Sequence, residues 1–431
     1  MSYCLLVQNA SVPDQQGLAT IAVSDGRIDS IALDSDPVPE LDPNSMSSDA
    51  DESTATATVI DADGGLVAAG FIDPHVHLDK AYIAPDLPPN ESGTLAEAIS
   101  SIHNRKADYT LEDVRDRAIR GIEAHVRNGC TRIRTHVDVD TIGGLTPLEG
   151  VLAAREACSG IADVEIVAFP QEGILQDDGT ADLLERALES GADLVGGMPD
   201  NERTDADRRE HVDICLDLAD RYGVGVDMHV DETDDPAARS LEYLAAEVID
   251  RGFDRPVTAG HTCALAAYDD PHAARVIDLV AEAGLTVITN PPTNLLLQGR
   301  HDGHPKRRGI TRVDELVDSG VTVAAGQDCL LDGFYPYGRA SMLETALLTA
   351  HAAQLTTPAE RRLAWNFVTA NAATVLGCDH GLEPGAPATF NVFPSEVESR
   401  HEAIRRGRSP RWVVHEGSVV AETELESTVH R

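Results

Sequence analysis

The chain has 431 residues, 42% of them hydrophobic and 25% charged, which suits a folded protein with one large and one small domain and excludes a disordered one. Its formal net charge of -39 disfavours nucleic acid and anionic membranes as partners, because both would be repelled. The sequence has neither an apolar run of membrane-spanning length nor the basic start of a signal peptide, so we expect a cytoplasmic protein with no membrane partner.

The lysine, arginine and cysteine content indicates the type of organism and the redox compartment. Only three of the 34 basic residues are lysine, and an acidic, lysine-poor chain is typical of salt-loving organisms, in which molar salt screens self-repulsion. An acidic protein from an ordinary organism is the alternative. The seven cysteines are scattered without a C-x-x-C pair, which indicates a reducing cytosol and neither a disulfide framework nor a thiolate zinc site.

Residues 1–65 are predicted to form part of a small β-sandwich. Asp25-Gly26 is a hairpin turn signal between two strand patterns. Residues 34–58 are rich in Asp, Ser, Thr, Pro and Ala, and predict a solvated, mobile acidic loop. The predicted strands before that loop are 3–10, 20–24 and 27–33.

Residues 66–376 alternate strand-like runs with amphipathic helical patterns. Eight strands each followed by a helix predict a (β/α)8 barrel of the TIM type. The predicted strands are 66–72, 131–136, 164–169, 194–198, 224–229, 257–261, 286–290 and 321–325. The predicted helices are 111–128, 181–190, 211–222, 240–251, 273–283, 312–319, 340–354 and 358–376.

Strand patterns return in residues 377–431, at 388–393, 412–415 and 418–421. We expect this segment to pair with residues 1–65 in one small β-sandwich, with the barrel between them. The fold class is therefore α/β, a TIM-like barrel with a sandwich built from both termini.

The segment Pro74-His75-Val76-His77 follows the first barrel strand, which Pro74 is expected to end. Residues two apart in an extended segment point to the same side, so His75 and His77 can reach one metal ion. An H-x-H pair alone is a modest signal, and the buried strand before it strengthens the prediction.

The ends of the later strands supply further candidates, because active sites of such barrels lie at the C-terminal ends of the strands. Three imidazoles and one carboxylate suit a single divalent ion of the zinc or iron type that keeps a position for water. Such an ion can lower the pKa of water to about 7 and give hydroxide at neutral pH. The predicted ligands are His75, His77, His229 and Asp328.

Glu232, His261 and Asp328 are the predicted catalytic residues. Glu232 is expected to shuttle a proton beside the metal, and His261 to polarise the reacting group or to orient the nucleophile. The chain has no lysine between residues 106 and 306, which excludes a metal pair bridged by a carbamylated lysine after the fourth strand. His136 is expected to be a structural histidine at the barrel mouth.

These motifs together resemble the amidohydrolase superfamily, and within it the cytosine deaminase branch. The resemblance covers nearly the whole chain except residues 34–58. It implies hydrolytic deamination at one metal ion, proton transfer to the ring by Glu232, and a hydrogen bond from Gln171 to the heterocycle. The segments that carry it are 74–79, 134–139, 168–174, 229–235, 297–300 and 305–312.

The sequence also departs from that branch. Gln327-Asp328-Cys329 has a cysteine where cytosine deaminases carry a second aspartate, so Cys329 is expected to line the substrate pocket without a fixed charge. Residues 199–202 lack the usual histidine and aromatic residue. Hydrolysis of an N-alkylamino or amide bond on a triazine-like ring therefore stays as an alternative, and a metal-free relative that only binds or assembles is a second one. A small heterocyclic substrate and a homo-oligomer are the expected partners.

Overall fold

The structure is a computed structural model that describes residues 3–33, 57–92, 95–425 and 428–430. The predicted acidic loop lies outside the described residues, apart from its last two positions, where a strand begins at Thr58. The strands in chain order are β1 (Leu5–Ala10), β2 (Ala19–Ser24), β3 (Arg27–Leu33), β4 (Thr58–Asp61), β5 (Val67–Ala69), β6 (Phe71–Val76), β7 (Cys130–Asp138), β8 (Asp163–Phe169), β9 (Leu194–Gly197), β10 (Val226–Val230), β11 (Val257–His261), β12 (Thr286–Thr289), β13 (Val323–Ala325), β14 (Phe390–Val392), β15 (Trp412–His415) and β16 (Ser418–Glu422).

The α-helices lie mainly between the barrel strands. They are α1 (Leu95–Lys106), α2 (Leu111–Arg127), α3 (Thr146–Ala157), α4 (Thr180–Glu189), α5 (Asp205–Tyr222), α6 (Ser240–Arg251), α7 (Asp270–Glu282), α8 (Pro291–Leu297), α9 (Val313–Asp318), α10 (Met342–Ala352), α11 (Pro358–Asn366), α12 (Ala370–Leu376) and α13 (Arg400–Arg406). α1, α3, α8 and α13 were not predicted, and the single helix predicted at 358–376 is divided into α11 and α12.

The eight central strands form one parallel sheet in the order β6 to β13, which confirms the predicted TIM-like barrel. Val76 and Asp328 form a parallel bridge that joins β6 to the segment after β13 and closes the barrel. The helices bury apolar faces against these strands. In α2, for example, Val114, Ala118 and Ile122 are fully buried at helical spacing, and each buried side chain of this kind contributes about 1–3 kcal/mol.

Two further four-stranded sheets form the small sandwich. One contains β1 to β4. The other has the order β16-β15-β14-β5, so segments from both halves of the chain share it. Leu5, Ile21, Phe390 and Val414 belong to one buried cluster between these sheets. The terminal segments therefore combine as predicted, although the division of the chain at residues 65 and 376 stays a prediction.

The apolar run predicted as the first barrel strand is two strands. β5 belongs to the sandwich, and β6 starts the barrel at Phe71. The prediction that Pro74 ends this strand was wrong, because β6 continues to Val76, with a register irregularity towards β7 between Asp73 and Val76. Proline has no N–H to donate to a sheet ladder and is tolerated where the pairing is irregular.

Candidate active site

The C-terminal ends of the barrel strands bring together four side chains of the types that can bind a metal ion. His75 lies in β6, His229 in β10 and His261 at the end of β11. Asp328 follows β13. One donor atom from each of these residues lies within 4.8 Å of the others, and all four side chains are buried. This is the end of the barrel at which active sites of the fold lie.

His77, the second histidine of the H-x-H pair, joins the same centre. Its Nε2 lies 3.1 Å from Nε2 of His229 and 3.4 Å from Oδ1 of Asp328. Its Nδ1 lies 3.1 Å from the backbone oxygen of His136, which can only accept a hydrogen bond. We therefore assign the ring proton to Nδ1, and the lone pair of Nε2 then faces the centre. The structure thus brings together all four residues predicted as ligands.

Burial keeps the imidazoles of His75, His77 and His229 neutral. It lowers the pKa of His77 to about 4 and holds the pKa values of His75 and His229 well below 6.5, with repulsion from neighbouring histidines adding to the effect. Burial alone would raise the pKa of Asp328, but the hydrogen bond with His77 and the attraction of His261 and His77 together outweigh it and lower that pKa. Neutral imidazoles beside a carboxylate are the protonation states that a divalent ion requires.

Hydrogen bonding at the centre also fits a cation. Among the residues that the structure describes, three ring nitrogens of this centre have no hydrogen-bond partner. They are Nδ1 and Nε2 of His75 and Nδ1 of His229. Buried polar atoms without a partner are costly unless something else satisfies them. A divalent ion would take one nitrogen from each ring, and the donor set suits zinc or iron.

Backbone hydrogen bonds hold the segment with His75 and His77 next to Asp328. The N–H of His77 donates to the oxygen of Asp328 at 2.9 Å, and the N–H of Asp328 donates to the oxygen of His75 at 2.8 Å. Asp328 has a φ of 66° and His261 a φ of 67°, both in the left-handed region that costs a non-glycine residue energy. Such strain at the strand ends is typical of functional positions.

Glu232 lies beside this centre in a network of its own. Asn294 Nδ2 donates to its Oε1 at 2.8 Å, and Nδ1 of His261 lies 3.3 Å from the same oxygen. Gln298 Nε2 donates to the backbone oxygen of Glu232 at 3.1 Å. Burial raises the pKa of Glu232 above its ordinary value, which suits a group that takes up and returns a proton.

His261 differs from the other histidines of the centre in its contacts. Its Nδ1 lies 3.0 Å from Oδ1 of Asn294, and Asn290 Nδ2 lies 3.3 Å from its Nε2. Because its ring is engaged with these amides and with Glu232, a role beside the nucleophile suits it better than a place among the ligands. No cue in the sequence pointed to Asn294, which holds His261 and Glu232 together.

His136 lies behind the H-x-H pair. Its ring centroid is 4.1 Å from that of His75, and its Nε2 is 3.2 Å from Oδ1 of Asp227. Its backbone oxygen fixes His77, as described above. These contacts fit the structural role expected from the sequence.

A cavity of about 810 Å³ opens in front of the centre. His77, Glu232 and Asp328 line it together with the two predicted substrate-binding residues, Gln171 and Cys329. Cys329 is 3% exposed, and its Sγ lies 3.7 Å from Oδ1 of Asp328. Burial, together with the nearby carboxylates, holds the pKa of this thiol well above 9, so it lines the cavity as a neutral group.

The segment after β9, where the sequence departs from the resembled branch, supports Gln171. The side-chain amide of Asn201 donates to the backbone oxygen of Gln171. Glu202 accepts hydrogen bonds from the backbone N–H groups of Ile174 at 2.6 Å and Leu175 at 3.0 Å, and Nδ1 of His211 lies 2.8 Å from it. These contacts hold the loop that carries Gln171 against the barrel.

Two buried lysines also lie at this rim. Nζ of Lys80 donates to Asp138 Oδ1 at 2.5 Å and to Gln171 Oε1 at 3.1 Å. Nζ of Lys106 donates to Asp138 Oδ2 at 2.7 Å and to Asp140 Oδ2 at 2.6 Å. Sequence reasoning missed both, although the rarity of lysine in this arginine-rich chain was a usable signal.

Across the described ranges of the chain, we find no helix with the length and apolar character needed to cross a membrane.

Comparison with known proteins matches the chain to one family and to enzymes of related chemistry. The amidohydrolase family matches residues 58–108 and 91–421. The pterin deaminase of Rhizobium rhizogenes (strain K84) is 34% identical over 374 residues, which cover 85% of this chain and 84% of that protein.

Two solved structures are similar over nearly their whole length. The crystal structure of 5-methylcytosine deaminase from Klebsiella pneumoniae with 5-fluorocytosine has a TM-score of 0.89 and 37% identity, and covers 99% of both chains. N-isopropylammelide isopropylaminohydrolase from Burkholderia multivorans has a TM-score of 0.81 and 30% identity, and covers 98% of this chain and 99% of that one. The similarity therefore extends through the barrel and the sandwich.

Proposed function

Because this chain belongs to the amidohydrolase family, as its motifs predicted, we propose that it is a metal-dependent enzyme that hydrolytically deaminates cytosine or a ring-substituted cytosine and releases ammonia. The observation that carries the proposal is the convergence of His75, His77, His229 and Asp328 beside Glu232, in a cavity that also holds Gln171. The 5-methylcytosine deaminase at 37% identity supports the substrate class.

Different side chains carry out different steps of the proposed reaction. A divalent ion held by His75, His77, His229 and Asp328 would supply a nucleophile at neutral pH by lowering the pKa of water to about 7. Glu232, its pKa raised by burial, accepts a proton and returns it to the ring nitrogen next to the carbon under attack. A C–O bond forms at that carbon, the proton of the newly added hydroxyl group passes to the amino group, the C–N bond breaks, and ammonia leaves.

His261 and Gln171 fix the geometry of that step. His261 lies at the end of β11 and holds Glu232 through the contact at 3.3 Å. Gln171 provides a hydrogen bond to the edge of the heterocycle. Preorganised polar groups in a closed site stabilise the transition state more than the same groups in water.

The side chain of Cys329 favours a ring-substituted cytosine as a substrate, in addition to cytosine itself. It is a small neutral group in the cavity wall, where a carboxylate would repel an apolar substituent. A methyl group at carbon 5 of the pyrimidine is the substituent that the comparison with 5-methylcytosine deaminase favours.

A second candidate is hydrolysis of a larger heterocycle. The cavity of about 810 Å³ exceeds what a single pyrimidine ring fills, although part of it is the open entrance. A pterin amine or an N-alkylamino triazine would use the same residues, and relatives with these activities are 34% and 30% identical.

We further propose zinc or iron as the metal, a homo-oligomeric assembly and no binding to nucleic acid. The seven cysteines are all unpaired, which supports a cytoplasmic location. The net charge of -39 supports adaptation to high salt. A role in pyrimidine salvage follows if cytosine itself is the substrate.

A panel of heterocycles tests the proposal. Purified enzyme is incubated with cytosine, 5-methylcytosine, isocytosine, guanine, pterin and N-isopropylammelide, and ammonia and alkylamine are measured separately. We expect ammonia from cytosines with the highest kcat/KM. Release of isopropylamine, or turnover of pterin alone, would assign the second candidate instead.

A further inference from the structure

Lys80 occupies an unusual position for a lysine in this chain. The sequence has three lysines, and two of them, Lys80 and Lys106, are 1% exposed at the rim of the candidate site. Lys306 is exposed. Asp138 lies between the two buried ammonium groups, at 2.5 Å from Lys80 and 2.7 Å from Lys106.

The Lys80 ammonium stays charged in this environment. Burial would lower the pKa of Lys80, but Asp138 and Asp79 outweigh it and raise that pKa above its ordinary value. An ammonium has three N–H donors and no acceptor. Lys80 therefore acts on its neighbours only as a donor at neutral pH.

Because Lys80 can donate but not accept hydrogen bonds, it fixes the orientation of the Gln171 amide. A glutamine amide has an oxygen that accepts and a nitrogen that donates, and its two orientations are close to equivalent without a partner. Lys80 lies 3.1 Å from one end of that amide, which must be the oxygen because an ammonium cannot accept. The amide nitrogen of Gln171 is then the end left for a substrate, and both residues line the cavity.

We propose that Lys80 is a positioning residue that makes Gln171 a hydrogen-bond donor to the substrate, so that the site selects heterocycles with a carbonyl oxygen at that edge over those with an amino group. The inference rests on the proposed deaminase function. It adds the group of the heterocycle that Gln171 recognises, which is a carbonyl oxygen. Lys80 acts through Gln171 and needs no contact with the reacting atoms.

Two substitutions test the inference by changing one partner each. Lys80→Met keeps the length and apolar stem of the side chain but removes the donor, which frees Gln171 to present its oxygen. Gln171→Glu keeps an acceptor for Lys80 but presents a carboxylate oxygen to the substrate. Lys306→Met removes the exposed lysine and serves as the matched control.

The readout is the ratio of kcat/KM for cytosine to that for 2,4-diaminopyrimidine, which replaces the 2-oxo group with an amino group. A site built around a substrate hydrogen bond rejects an analogue that cannot make it by about 10⁴-fold. We expect both test substitutions to reduce the ratio at least 10-fold, mainly through a higher KM for cytosine, and Lys306→Met to leave it unchanged. The Kd of uracil, measured by calorimetry, should rise in parallel and needs no turnover.

Each outcome decides a separate question. An equal loss of kcat/KM for both substrates in Lys80→Met, with the ratio unchanged in Gln171→Glu, would make Lys80 a purely structural residue and overturn the inference. If Lys80→Met does not fold, Gln171→Glu alone decides, since it retains every lysine contact. A wild-type enzyme that leaves all cytosines intact would instead overturn the proposed function, and this inference with it.

Discussion

Replacement of Cys329 by aspartate should shift the specificity of the enzyme from 5-methylcytosine towards unsubstituted cytosine. Cys329 is buried in the cavity wall, and its Sγ is 3.7 Å from Oδ1 of Asp328. Asp332 also lies close to this thiol, and burial raises the pKa of that carboxyl to about 6. The substitution Cys329→Asp therefore adds a third carboxyl to a crowded acidic wall.

The size of the effect follows from that geometry. Two carboxylates about 4 Å apart repel by roughly 4 kcal/mol at an effective dielectric constant of 20. The new carboxylate is thus costly in the free enzyme, and N–H donors of cytosine offset part of that cost when it binds. A 5-methyl group brings no donor and desolvates the carboxylate. A misfit of one methyl group is worth about 10–200-fold in kcat/KM.

We expect the ratio of kcat/KM for cytosine to that for 5-methylcytosine to rise about 10- to 100-fold in Cys329→Asp. Cys329→Ser, which keeps a small neutral group, should change the ratio by less than about threefold, and Cys329→Asn separates the effect of size from that of charge. Steady-state ammonia release for both substrates in all four proteins gives the ratios. A ratio that is unchanged in Cys329→Asp would show that this side chain does not face the substrate, and would refute the reasoning.

Four further outcomes are expected. Glu232→Gln should keep the metal and the fold but reduce kcat by about 10²–10⁴-fold, and near-normal turnover would remove Glu232 from the mechanism. Elemental analysis should find one divalent ion per chain, with loss of ion and activity in His229→Ala, whereas two ions per chain would contradict the single site. The melting temperature should rise as KCl is raised from dilute buffer to the molar range, because the charge of -39 is screened, and a flat or falling trend would exclude salt adaptation. Burial would raise the pKa of Asp138, but Lys106 and Lys80 lower it below its ordinary value. Asp138→Asn should therefore cost about 3–5 kcal/mol of unfolding free energy at pH 7. That difference should narrow as the pH falls below about 4, because Asp138 is protonated in the unfolded chain while it stays ionised in the folded protein, and a pH-independent difference would contradict the charge argument.

The barrel was predictable because its signals are local. Each parallel strand is a short apolar run, and polar residues at the strand ends indicate the catalytic rim, so the positions of His229, His261 and Asp328 could be inferred from the sequence. The split between β5 and β6 was not predictable, because the apolar run continues through Gly70 and hydrophobicity does not report which sheet a strand joins.

The contacts that orient the site depend on long-range packing and escaped prediction. Lys80 meets Gln171, and Asn294 meets Glu232, across 91 and 62 positions of sequence respectively. No periodicity relates such pairs. The strand prediction failed at Pro74 for a similar reason. Past the proline, the strand continues because Val76 pairs with Thr135 of β7 and with Asp328 after β13.

The closure of the barrel between β6 and the segment after β13 has a consequence for how the chain acquires its metal. His75 and His77 lie early in the sequence and Asp328 lies late, and their backbone hydrogen bonds form the last seam of the cylinder. A folding intermediate with that seam open would hold an incomplete set of ligands and bind the ion weakly. An ion held there as proposed would therefore stabilise only the closed barrel, and its binding free energy would oppose separation of the first and last strands. Metal supply during synthesis would then influence how long newly made chains spend with an open, aggregation-prone sheet edge.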